Sequence, residues 1–66
     1  MTPEVQIGDW VQIGSRFGVR RLVTSVTGEY VSVLGRIHAI HASEIIEIRG
    51  TRDGRAWHWT REGGAK

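Results

Sequence analysis

The 66-residue chain has no cysteine, one proline, one lysine, and no apolar run near the roughly 20 residues that span a membrane. Without cysteine there are no disulfides, thiolate zinc sites or cysteine nucleophiles, which fits a reducing compartment. The opening MTPEVQIGD lacks the basic-then-apolar pattern of a signal peptide. The expectation is a soluble, cytoplasmic protein with no membrane partner.

Signatures of catalysis are missing as well. Ser15, Ser25, Ser32 and Ser43 lie in no nucleophile-elbow motif. The glycine spacing matches neither the P-loop nor the dinucleotide fingerprint, so no cofactor is implied. His38 and His41 stand three apart on a predicted strand and so face opposite ways. His58 with either of them still lacks further ligands at recognisable spacing, so no metal is expected. A chain this short forms a deep cleft only if several copies assemble one. The expectation is not an enzyme.

What is present is β-structure. Gly18 to Leu34 carries two runs rich in Val, Thr and Tyr around Thr27-Gly28-Glu29. β-Branched and aromatic residues suit a half-buried pleated surface, and the glycine supplies the positive φ of a tight reversal. This predicts a hairpin. Earlier, Val5, Ile7, Val11 and Ile13 share one strand parity, while Gln6, Trp10 and Gln12 share the other. Gly8-Asp9 interrupts the run, placing a first strand over 9–13.

Residues 14–18 read as a loop. A second strand over 19–26 has Val19 and Val23 on one face but Leu22 and Val26 on the other, so a bulge near Thr24-Ser25 is expected. A third strand covers 30–34 and a short fourth covers 37–41. Ala42 to Ile45 suits one 3₁₀ turn with Ser43 accepting at its start. A last strand over 46–49 turns Ile46 and Ile48 inward and Glu47 outward. Closing five short antiparallel strands into a barrel would remove exposed edges.

The run Ile7-Gly8-Asp9-Trp10-Val11-Gln12-Ile13, then Gly18, Val23, Val26 and Tyr30-Val31-Ser32-Val33, resembles the small SH3-like barrels. Among them it is most similar to the KOW and Tudor-like pattern, departing where Val19-Arg20 stands in place of a Gly-Lys pair. His41 to Ile48 is similar to the helical turn and closing strand of those barrels. The resemblance covers residues 5–49 and implies an all-β, five-stranded antiparallel barrel. It also implies an aromatic-lined face between the first loop and the following hairpin, onto which Phe17 and Tyr30 map.

Residues 50–66 form an extension outside the resemblance. An Asp53-Gly54 turn leads to a possible extra strand over 56–60 with Trp57 and Trp59 on one face, and 61–66 is expected to be disordered. Acids balance arginines through residue 49, so the whole net charge of +2 falls in this extension. A basic tail on a neutral domain is the pattern of a weak electrostatic arm for nucleic acid, or ordinary solubilising charge.

Trp10, Phe17, Tyr30, Trp57 and Trp59 are too many aromatics for so small a barrel to enclose. Trp10 either plugs one end or joins a contact face, and Tyr30 either packs across a strand pair or stacks a ligand. Trp57 and Trp59 either cover the barrel's apolar end or dock on a second copy, giving a homodimer. The leading expectation is a nucleic-acid-associated module. Arg16, Arg20, Arg21, Arg36, Arg52, Arg55 and Arg61 would meet phosphate, while Phe17, Tyr30, Trp57 or Trp59 stack bases. The alternative is a protein-interaction module, a small accessory protein of phage-like size using the same residues on a host or assembly partner.

Overall fold

The computed structural model describes residues 4–14 and 19–65. The elements run β1 (Trp10–Ile13), β2 (Arg21–Thr27), β3 (Tyr30–Val33), β4 (Ile40–His41), a 3₁₀ turn (Ala42–Glu44), β5 (Ile45–Arg52), β6 (Arg55–Thr60) and β7 (Gly64–Ala65). They form one antiparallel sheet in the order β4-β3-β2-β1-β5-β6-β7. The protein is all-β, but the sheet is open. Its end strands, β4 and β7, do not pair among the described residues, and seven segments stand where five barrel strands and a possible extra strand over 56–60 were expected. Among the described residues no helix is long and apolar enough to cross a membrane.

The β2–β3 reversal follows from Gly28, whose φ of 58° opens a two-residue loop between the paired Thr27 and Tyr30. The register of that hairpin shifts between Val23 and Ser25, making Thr24 the extra residue. This bulge resolves the parity conflict of the second strand by turning both Val23 and Val26 toward the core.

A second bulge corrects the reading of the closing strand. Gln12 pairs with Glu47 but Ile13 pairs with Ile45, so Ile46 is unmatched and only half-buried. Ile45 and Ile48, three apart, become the inward pair instead of Ile46 and Ile48. The 3₁₀ turn sits where expected, but His41, not Ser43, caps it. The His41 Nδ1 accepts from the Ser43 N–H at 3.1 Å, and Glu44 accepts from the His41 N–H at 3.2 Å. His38 precedes β4 instead of lying within it.

Among the described residues the buried hydrophobic cluster is aliphatic: Val11, Val23, Val31, Val33, Ile40, Ile45 and Ile48. Each such side chain removed from water contributes about 1.5–3 kcal/mol before the opposing chain entropy. Val5, Ile13, Val26, Trp57 and Trp59 pack around its rim. The two tryptophans get there because β5 runs past the expected end at 49 to Arg52, then returns through Asp53-Gly54 as β6. Asp53 (φ 52°) and Gly54 (φ 77°) both adopt the positive φ of a type I′ reversal. Register then sets Trp59 opposite Ile48 and Trp57 opposite Gly50, on the core side. Where the sequence predicts disorder, Gly64 and Ala65 pair with Thr60 and Trp59.

Candidate interaction face

The outward face of the sheet is defined by cross-strand register. Leu34 donates its N–H to the Leu22 carbonyl at 2.9 Å, Leu22 pairs with Trp10, Trp10 with Arg49, and Arg49 with His58. These five side chains form one row over about 19 Å, at the usual strand spacing. Its first three members make an apolar strip. Trp10 is 48% exposed and Leu34 64%, so the strip is open to solvent. Ile37, in the β3–β4 connection, is 96% exposed.

The neighbouring row holds the charge. Arg20 reaches across β1 to Glu47 on β5, with Nη2 at 2.7 Å and Nε at 2.8 Å from the same oxygen, Oε1. Arg49 Nε lies 3.5 Å from that oxygen, and His58 Nε2 lies 3.1 Å from Oε2. Burial alone would push the Glu47 carboxyl up. The Arg20 and His58 hydrogen bonds, with the charges of Arg20 and Arg49, outweigh burial and hold it at about 2. Beside this cluster a shallow groove of about 490 Å³ is lined by Gln12, Gly14, Ile46, Glu47, Thr60 and Arg61.

The sequence-derived candidates that lie among the described residues are not gathered in one place. Arg16 and Phe17 lie outside the described residues. Tyr30 is exposed and packs edge-on against His41 at 5.2 Å between ring centroids. Arg21 starts β2 opposite the buried Val11, and its guanidinium extends to Gly35. Arg36 and Arg55 are exposed on the β3–β4 connection and at the start of β6.

Two tail arginines are engaged internally. Arg52 forms a two-point pair with the buried Asp9, donates from Nη2 to the Glu4 carbonyl at 3.1 Å, and lies 4.1 Å over the Trp57 ring. Arg61 donates to the Ile45 and Ala42 carbonyls at 2.9 and 3.0 Å and lies 5.3 Å from the Trp59 ring centre.

No family model, curated protein or solved structure matches this chain. Among the described residues no three His, Asp or Glu side chains gather to hold a metal. Of the residues central to the outward face, Glu47 is absent from the sequence-derived candidates, while for Trp10 the sequence left both a barrel-end plug and a contact face open. The signal for Trp10 was available, since it shares strand parity with Gln6 and Gln12 and not with Val11.

Proposed function

We propose that this chain is a small non-enzymatic protein-interaction module of SH3-like topology, docking its partner on the outward face around Trp10. The observation that carries this reading is the apolar strip Leu34–Leu22–Trp10 on the outward face of the sheet, exposed at Leu34 and Trp10. Half-exposed tryptophan beside aliphatic side chains is the usual chemistry of a protein contact that concentrates binding energy. The antiparallel order of β1–β4, the 3₁₀ turn and the β1–β5 pairing support the SH3-like reading of the topology. Trp57 and Trp59 are used within the chain, so a homodimer through them gains no support from their packing on the core.

Binding to nucleic acid needs cations free to replace counterions along phosphate. Arg20 is held by Glu47, Arg52 by Asp9 and Arg61 by backbone carbonyls, while Arg49, which meets Glu47 only through Nε at 3.5 Å, is a single cation and not a phosphate-tracking row. Among the described residues Arg21, Arg36 and Arg55 have no carboxylate partner, and they lie on three separate elements.

The test is selection from a random dodecapeptide library on the wild-type chain and on Trp10→Ala, beside a tryptophan-fluorescence titration with mixed oligonucleotides. Peptides retained by wild type and lost on Trp10→Ala are expected. Oligonucleotide quenching that weakens steeply with salt, with no Trp10-dependent peptide, would overturn the reading in favour of nucleic acid.

A further inference from the structure

We propose, resting on the interaction-module reading, that the partner is an acidic protein segment whose carboxylate is read by Arg49 next to the Trp10 strip. The inference comes from how the Glu47 cluster distributes its charge. Glu47 Oε1 is occupied twice over by Arg20, at 2.7 and 2.8 Å, and Oε2 by His58 at 3.1 Å. Arg49 reaches this carboxylate only through Nε, at 3.5 Å, the long limit of a hydrogen bond.

The Arg49 side chain is 55% exposed, and among the described residues its two Nη groups contact no acceptor. Two arginines meet one glutamate here, so the cluster carries one excess positive charge, and its least engaged donors belong to Arg49. A guanidinium with both Nη groups free accepts a carboxylate in a planar two-point fork. Arg49 also stands directly opposite Trp10, so its fork opens beside the apolar strip.

The two features together define the partner's chemistry. The segment carries an acid and a large apolar side chain about 5–7 Å apart, as i,i+2 on a strand or i,i+4 on a helix. The apolar group covers Trp10, Leu22 and Leu34, while the acid pairs with Arg49. One carboxylate at the rim of an apolar contact gives specificity and orientation more than raw affinity.

The experiment uses the selected dodecapeptides themselves. Their sequences should be enriched for Asp or Glu within two to four positions of an aromatic or large aliphatic residue. Arg49→Glu should weaken the best such peptide at least tenfold, and replacing the peptide's acid by lysine should restore binding to that variant. Because Arg49→Glu sets a second carboxylate beside Glu47, Arg49→Gln is run in parallel and should weaken binding several-fold with an unchanged thermal midpoint. Acid-free peptides that need Trp10 but ignore both Arg49 substitutions would overturn this inference and leave the interaction-module reading standing. No Trp10-dependent peptide at all would overturn both.

Discussion

Asp9, 2% exposed at the front of β1, and Arg52, at the end of β5, form a two-point ion pair with both Nη–Oδ distances at 2.9 Å. The pair joins positions 43 residues apart. The Gln6 N–H also donates to Asp9 Oδ2 at 2.9 Å, so the carboxylate ties the N-terminal segment to the β5–β6 hairpin. The same contact holds the Arg52 guanidinium more firmly protonated than usual, with its hydrogen bonds to Asp9 outweighing the cost of burial.

Removing one partner leaves the other as an uncompensated buried charge, which costs about 3–5 kcal/mol. Arg52→Ala should therefore lower unfolding stability by that order in urea, whereas Arg55→Ala should leave it within about 0.5 kcal/mol. An Asp9→Ala/Arg52→Ala double variant should lose much less than the sum of its single variants. Additive losses would show that the pair is not the link described here.

Gly50 belongs to the same arrangement. A Cβ there would run into the Asp9 carboxylate. Gly50→Ala should cost about 1–3 kcal/mol through this overpacking. The exposed neighbour Thr51 gives the control, since Thr51→Ala meets no such obstacle.

Acid should loosen the outward face through Glu47. Its folded pKa of about 2 lies below its ordinary value of 4.5, so the stability it contributes is complete above pH 4.5. That contribution is lost as pH falls from 4.5 toward 2, on the order of 2 kcal/mol after solvent screening of its arginine partners. Glu47→Gln should flatten this part of the stability profile, measured by urea unfolding from pH 6 down to pH 2.5. A variant profile parallel to wild type would assign the acid sensitivity to other carboxylates.

The reversal at Asp53 supports a sharper substitution test. Its φ of 52° lies in a region that asparagine tolerates and β-branched residues do not. Asp53→Asn should fold with stability equal to or slightly above wild type, while Asp53→Val should lose about 1–2 kcal/mol. Equal stabilities, measured by thermal unfolding, would mean that the turn relaxes to another form.

These relationships also show which features local sequence carries. The β2–β3 reversal was legible because Gly28 sits between two β-branched runs, and the Thr24 bulge because Val23 and Val26 cannot both face inward on an unbroken strand. The bulge at Ile46 left no such conflict, as Ile46 and Ile48 already alternate acceptably. Only pairing with β1 selects Ile45 instead. The fates of Arg52 and Arg61 were hidden for a similar reason. Their acceptors, Asp9 and the carbonyls of Ala42 and Ile45, are distant in sequence, so composition alone reads both side chains as free cations. The length of β5 was missed because Gly50-Thr51 resembles a terminus, whereas Gly50 leaves room for the Asp9 carboxylate.

Comparing tryptophans separates stability from recognition. Trp59 faces Ile48 and packs on the core, whereas Trp10 stands on the opposite face, half-exposed between Leu22 and Arg49. Trp59→Ala should cost about 3–5 kcal/mol if its site cannot collapse, and less where its partial exposure lets water fill the space. Trp10 is about half buried, so Trp10→Ala should cost about 2 kcal/mol, less than Trp59→Ala. It should nevertheless abolish peptide capture, because the apolar strip loses its largest member. The check is one set of thermal midpoints beside one set of binding isotherms. Trp10→Ala that unfolds as readily as Trp59→Ala would make Trp10 a structural residue and remove the basis for a docking face. A stable Trp10→Ala that still binds would move the contact to another surface of the sheet.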